Sequence, residues 1–351
     1  MRIWTSRLAG LAVILLCITG VVQAQDPVFS QYTASPVYTN PALAGLFDGE
    51  VRLTAAYRDQ WSSVLGANPI QSYGASAELR YNVGGRDYIA VATNMVRDEG
   101  GTSEYTITRA GFGVTMQKYL DGGRGRDATY LGFGARVGYG QHSFDPSNLW
   151  FSSGIDTSSL VIEQGPRSLP AGFVTSTKGY LDITGGINLS VVRRDYSLTV
   201  GVAAHHLNSP NVSFLFNSEE LLKPRYSALV SGEYLIQDNL RIIPSAIYEV
   251  QGQVSRITAG GGLYYQPEQG GDAGFRIGLY SRTANKFESG MYMQALIVSG
   301  QLEFKRTTVG LSYDLNTGQV GRATDGRGAF ELSLSWTKEG KSRYKVVCPK
   351  L

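Results

Sequence analysis

Apolar and polar positions alternate with a period of two from residue 50 to residue 338. In EVRLTAAYRDQW, Val51, Leu53, Ala55 and Tyr57 share one face, and Arg52, Thr54, Ala56 and Arg58 share the other. SYGASAELRYN repeats this, with Tyr73, Ala75, Ala77, Leu79 and Tyr81 against Ser72, Gly74, Ser76, Glu78 and Arg80. YLGFGARVGYG sets Leu131, Phe133, Ala135, Val137 and Tyr139 against Arg136 and the glycines 132, 134, 138 and 140. YLDITGGINLSV sets Leu181, Ile183, Ile187 and Leu189 against Asp182, Thr184, Asn188 and Ser190, and AFELSLSWT gathers Phe330, Leu332, Leu334 and Trp336 on one side. Successive side chains of a strand point to opposite faces, so each stretch predicts a strand with one apolar and one polar side.

Strands of about ten residues with this pattern are what a membrane β-barrel presents. A soluble sandwich also alternates, but its two sheets share one apolar core. Here the polar faces hold Arg, Glu and Asp beside glycine, as a wet or protein-filled lumen would. The expected fold is therefore all-β: a transmembrane antiparallel β-barrel of about 14 strands, near 50–61, 71–82, 86–98, 104–120, 128–142, 174–192, 195–208, 223–236, 239–250, 254–266, 273–284, 290–298, 304–316 and 328–338. The connections 62–70, 143–173, 209–222 and 317–327 are the longest, and all four are odd-numbered. With long loops outside and short turns inside, that parity places both termini in the periplasm. Tyr57, Trp61, Tyr81, Tyr130, Tyr139, Tyr313 and Trp336, near strand ends, suit interfacial girdles. Charged positions such as Arg52, Arg58, Glu78, Arg80, Arg136 and Glu233 have two readings: they line a pore, or they pair with one another and with a plug.

Composition agrees. The 351 residues include 43 glycines and 21 tyrosines, which suits a turn-rich exported β protein. Residues 1–24 read as a cleaved signal peptide, with Arg2 and Arg7, an apolar run over 8–18 and the cleavage signal Val22, Gln23, Ala24. Leu16 before Cys17 departs from the small residue of a lipoprotein signal, so no lipid anchor is expected. Processing lowers the 32 Lys and Arg side chains to 30, against 29 acids. A near-neutral chain without a basic stripe is not a nucleic-acid binder. Cys348 alone then remains, which excludes an internal disulfide framework.

The stretch SQYTASPVYTNPALAG, 30–45, breaks the alternation. Its two X-Pro steps push Ser35 and Asn40 out of the helical region. An irregular segment ahead of the first strand must satisfy its backbone away from lipid. Residues 25–49 are accordingly expected to plug the lumen or to cover its periplasmic opening, through Phe29, Tyr32, Tyr38, Asn40 and Pro41. The barrel proper spans 50–338, and 339–351 forms a periplasmic tail.

Catalytic chemistry finds little support. His205 and His206, adjacent on a strand, point apart and cannot chelate one ion there. His142 and Ser143 are neighbours in sequence, which does not make a nucleophile–base pair. GFGARVG is a run of lumen-facing glycines, not a dinucleotide fingerprint. No enzyme, metal or cofactor is expected.

Several stretches resemble one family, the PorP/SprF outer-membrane proteins of type IX secretion and gliding in Bacteroidetes. They are QDPVFSQYTASPVYTNPALAG, then YRDQW, HHLNSPNVSF, KPRY, GLSYDLN, GAFELSLSW and the tail VVCPKL. Their order and spacing cover the mature chain. The resemblance implies a non-enzymatic outer-membrane barrel that assists export or surface anchoring of cargo bearing a type IX C-terminal domain, such as a gliding adhesin. Implied partners are that secreted cargo, periplasmic ring or motor components, and outer-membrane lipid. A passive channel for small or hydrophobic solutes is the alternative. Combining parity with these motifs, Arg58, Asp59, Trp61, Asn208, Asp314 and Asn316 are expected to gather at the extracellular mouth and dock the partner.

Overall fold

The computed structural model describes residues 26–66, 68–122, 127–156, 161–162, 164–268, 271–286 and 290–339. Residues 1–25, which include the expected signal peptide, and the tail beyond Glu339, with Cys348, lie outside the described residues.

Fourteen strands close into one antiparallel barrel. They are β1 Val51–Gln60, β2 Ile70–Gly84, β3 Asp87–Gly100, β4 Tyr105–Asp121, β5 Ala128–Ser143, β6 Tyr180–Val192, β7 Tyr196–His205, β8 Arg225–Gln237, β9 Leu240–Gln251, β10 Val254–Tyr265, β11 Ala273–Asn285, β12 Met291–Phe304, β13 Thr307–Asn316 and β14 Arg327–Lys338. Each pairs with its sequence neighbours, and β1 pairs with β14 from Val51↔Lys338 to Gln60↔Ala329. Closure leaves no unpaired edge, the condition for a sheet in hydrocarbon.

The alternation sets the two faces. On β6, Leu181, Ile183, Ile187 and Leu189 are exposed outside, while Asp182, Thr184, Asn188 and Ser190 are at most 1% exposed inside. The same holds on β14, with Phe330, Leu332, Leu334 and Trp336 outside and Glu331 inside at 0%. All fourteen predicted strands are present in order. The boundaries differ most at β6 and β12. β6 begins at Tyr180, not 174, because Phe173 and Val174 pair with loop residues instead. β12 runs through Gly300 to Phe304, and the turn falls at Lys305, whose φ is +55°. Tyr130 also departs from the girdle reading. It points inward at 1% exposure and packs on Tyr88 and Ala128.

The odd connections include the long loops 144–179 and 206–224; the even ones are short, such as 85–86, 238–239 and 305–306. The barrel thus has a long-loop rim and a short-turn rim. The two long loops are zipped together. Val174 N–H donates to Phe214 O (2.9 Å), Phe216 N–H donates to Gly172 O (2.8 Å), and Phe144 and Tyr105 stack on Phe214.

Candidate functional site

Residues 26–49 lie inside the barrel and run its full height. The first contacts of the segment are with Arg109, His206, Arg225 and Gln251, at the long-loop rim. Its last, Glu50 N–H to Lys338 O, is at the short-turn rim, where β1 begins. Asp26, the first described residue, and Glu339, the last, therefore sit at opposite rims. The termini themselves lie outside the described residues.

Proline shapes the route. Pro36 opens a helical turn over Pro36–Thr39, and Pro41 opens another over Pro41–Leu43. Proline suits a first helical position because its missing N–H would have no partner there. The preceding Asn40 is extended (φ −159°, ψ 120°), and its side chain accepts from Ala42 N–H (2.8 Å). These compact turns press against the wall where β5 and β6 carry glycine. A Cβ at Gly134 would overlap the backbone of Pro41 and Ala42, and one at Gly186 would overlap Asn40. The inward glycines are the imprint of the segment.

Every backbone group in such a place needs a partner, and the wall supplies them. Thr115 Oγ1 donates to Pro41 O (2.6 Å) and Gln117 Nε2 to Ala42 O (2.7 Å). Asn40 Nδ2 donates to Val202 O (3.1 Å), Ser227 Oγ to Thr39 O (3.1 Å) and Tyr32 Oη to Ser245 Oγ (2.7 Å). Apolar packing fills the rest. Tyr32, Leu43 and Leu46 meet Leu229 and Ile247; Phe29 meets Ala56 and Val96, with Tyr38 packed edge-on at 6.0 Å.

Two buried ionic knots hold the upper part. In the first, Asp26 is gripped by Arg109 Nη2 (2.7 Å), His206 Nε2 (2.8 Å) and Arg225 Nε (3.2 Å). Asp182 meets the other ring nitrogen of His206 and Arg136 Nη2, each at 2.8 Å. Burial alone would lower the pKa of His206, but the two carboxylates outweigh it and hold the imidazole above its ordinary value. In the second knot, the N–H groups of Ser30 and Gln31 donate to the two oxygens of Glu331 (2.7 and 2.8 Å). Arg58 and Arg282 both donate to Ser30 Oγ (2.5 and 2.7 Å) and to Asp314 (2.8 and 2.7 Å). Lower down, Glu78 accepts Gly45 N–H (3.0 Å) and pairs with Arg52 (2.7 Å), while Arg80 donates to Phe47 O (2.6 Å). Glu233 pairs with Arg241 (3.2 Å). Of the two readings of the lumenal charges, pairing with each other and with the segment is the one realised.

The residues expected at the mouth divide. Arg58 and Asp314 are 3% and 2% exposed and belong to the second knot, so neither offers surface to a partner. Their height along the strand is that of the rim, but they face inward. Asp59 is half-buried, accepting from Tyr57 Oη (3.2 Å), and Trp61 turns the chain at φ +64°. Asn208 is exposed and bridges Ile183 N–H (3.1 Å) and Leu181 O (2.7 Å), covering the part of β6 that β7 does not reach. Asn316 ties Thr324 Oγ1 (3.1 Å) to Arg327 O (2.9 Å). Phe29, Tyr32, Tyr38, Asn40 and Pro41 all lie in the lumen. Sequence reasoning missed Asp26, Ser30, Arg109, Asp182, His206, Arg225, Arg282 and Glu331. His206, expected beside His205 on a strand, instead leaves the strand, turns back into the barrel at φ +55° and is 1% exposed. His142 is held between the hydroxyls of Tyr105 and Tyr180, 2.9 Å each.

Among solved structures, a Pseudomonas aeruginosa FadL homologue aligns over 90% of this chain and 95% of its own, at 10% identity and TM-score 0.50. The CymD monoaromatic hydrocarbon channel aligns over 92% and 96%, at 9% identity and TM-score 0.49. CdiB from Escherichia coli aligns over 81% and 63%, at 9% identity and TM-score 0.44. These likenesses are ones of barrel fold. No curated protein matches the chain in sequence. The family described as type IX secretion system membrane protein PorP/SprF matches residues 21–336, nearly the whole chain, and the protein belongs to that family.

Proposed function

We propose that this barrel is a closed, non-enzymatic outer-membrane component of the type IX machinery, which assists export or surface anchoring of cargo with a C-terminal signal domain, such as an adhesin. One observation carries the reading: the chain's own residues 26–49 occupy the lumen from rim to rim, tied by two buried ionic knots. A lumen occupied from rim to rim is not an open pore. The long-loop rim faces the outside, and the zipped loops are the platform that meets cargo. They expose Trp150, Phe216, Leu215 and Leu221, large apolar side chains away from the strand wall, the kind of surface that marks a protein contact. Asp59, Trp61, Asn208 and Asn316 border it; Arg58 and Asp314 support it from within by fixing the plug. Components of the periplasmic ring or motor meet the other rim.

Two experiments separate closure from docking. Deleting 30–45 opens a measurable conductance in planar bilayers; a variant that inserts and stays closed would refute the plug. Alanine at Trp150 and Phe216 releases cargo from the cell surface without opening the barrel. Unchanged retention in folded protein would remove the loop platform from the proposal.

A further inference from the structure

The lumen is not filled evenly. The inner segment packs against β4–β9 at mid-height. Between it and the wall of β10–β14, a cavity of about 420 Å³ opens at the short-turn rim. Leu46, Phe47 and Asp48 form one side of it. Opposite stand Arg276, Gln301, Glu303, Thr308 and Ser335. On its inner side, Gln301 Nε2 donates to the amide oxygen of Gln31 (3.5 Å), which also accepts from Ser333 Oγ (2.8 Å), next to the knot at Ser30. The cavity is a vestibule below that knot.

Four basic side chains line it, Arg52, Arg276, Lys305 and Arg306, together with three acidic ones, Asp48, Glu303 and Glu339. Arg52 is engaged by Glu78, and Arg306 by Glu339. Glu303 accepts from Tyr264 Oη (3.0 Å). Arg276 stands half-buried in the wall between Tyr264 and Gln301, and its guanidinium makes no hydrogen bond or ion pair to any described side chain or carbonyl. Every other arginine named in the lumen is tied to a carboxylate or a backbone oxygen. Lys305, on the adjoining turn, has no carboxylate partner among the described residues and lies 5.4 Å from the Phe304 ring centre.

We propose that this vestibule is a receptor site for an extended, acidic peptide segment of a soluble partner, its carboxylate on Arg276 and its backbone amides on Gln301, Thr308 and Ser335. A guanidinium takes a carboxylate through two parallel hydrogen bonds. Amide and hydroxyl side chains offer the mixed donors and acceptors that peptide groups need. The volume lies within the range of built ligand pockets, about 300–1,000 Å³, and far exceeds one small anion. This site is on the opposite rim from the cargo platform and stands independently of it.

The test uses full-length protein in detergent micelles and two labelled peptides, one of alternating Glu and Ser and one of alternating Lys and Ser, read by fluorescence anisotropy. The acidic peptide binds, more weakly as salt rises, and the basic one does not. Arg276→Ala weakens binding by about tenfold or more, the scale of a lost charged hydrogen bond; Arg276→Lys retains part of it, and Arg322→Ala, an exposed arginine on the far rim, changes nothing. Ser335→Trp, which fills the cavity while keeping Arg276, also abolishes binding. Equal binding of both peptides, or an unaltered Arg276→Ala in protein that keeps its folded gel migration, overturns the proposal. So does full competition by equimolar inorganic phosphate, which would make this a small-anion site.

Discussion

Replacing Asp26 by Asn tests the upper knot without touching the barrel wall. The carboxylate of Asp26 is 4% exposed as a residue and neutralises two guanidinium groups and the imidazole of His206. Removing one partner from a buried ion pair costs about 3–5 kcal/mol, because the other charges stay buried unpaired. Asparagine keeps the shape and some hydrogen bonds, and water reaches the long-loop mouth, so about 2–3 kcal/mol is the expected loss. At about 1.4 kcal/mol per factor of ten, the unseated population of the first residues rises about 30- to 150-fold. The effect stays local. Tyr32, Val37, Leu43 and Leu46 remain buried downstream, each contributing about 1.5–3 kcal/mol. The assay is thiol accessibility: a cysteine at half-buried Val28, with Cys348 changed to Ser, is labelled by a membrane-impermeant maleimide. Where closing is faster than labelling, the rate follows the opening equilibrium. A rate within about threefold of the parent, less than 1 kcal/mol, would show that the knot does not hold the segment.

Two further outcomes follow from the same contacts. Burial lowers the pKa of His206, but Asp26 and Asp182 outweigh it and raise the value, against the nearby Arg109; Arg136, Arg225 with its partner Glu249, Tyr38, Tyr180 and His205 also face the knot. A raised pKa means that the His206 contribution is fully present below the ordinary histidine pKa, about 6.5, and is lost as pH rises through the folded value. Val28→Cys labelling, divided by the rate of a free thiol at the same pH because only the thiolate reacts, is therefore slow in mild acid and accelerates above neutrality, and His206→Gln flattens that profile; a pH-independent ratio in the parent would refute it. Gly134→Val places a branched side chain where Pro41 and Ala42 pass. The barrel still closes, but the segment cannot seat, and bilayer recordings show conductance; a silent, folded Gly134→Val barrel would mean that the segment tolerates displacement there.

The strands were legible because lipid imposes one face on all of them. A one-residue slip would turn every apolar side chain inward, so Leu53, Phe133, Leu181 and Leu332 mark register as well as strand. Boundaries were less legible where a glycine or a loop imitates strand pattern. Gly300 reads as an end yet lies within β12, and Phe173 and Val174 alternate because they pair with a loop. Irregularity at 30–45 pointed to the lumen or its opening, but not to a path of full height, which depends on contacts some 300 residues apart. Arg58 shows how two correct signals diverge. Its position along β1 gives the rim, while its place beside Arg52 and Thr54 on the polar face gives the lumen, and the face decides whom it meets. His206 was the least legible: strand alternation cannot anticipate a residue that leaves the strand at positive φ and folds back.

The lower of the two knots bears on assembly as well as closure. Ser30 and Gln31 are bound by β1 through Arg58, by β11 through Arg282, by β13 through Asp314 and by β14 through Glu331. β1 and β14 are the first and last strands, and their pairing closes the barrel. Bringing them together costs loop-closure entropy that grows only slowly with length, but the ladder also has to find its register. Arg58 and Glu331 are opposite each other in that ladder, and both contact Ser30. A slip of one residue would turn one of them outward into lipid and leave its partner buried alone. The segment therefore selects the closing register while the closing strands seat the segment. On this reasoning, weakening Ser30 or Glu331 slows barrel closure as well as opening the lumen, whereas weakening Asp26 opens only the upper end.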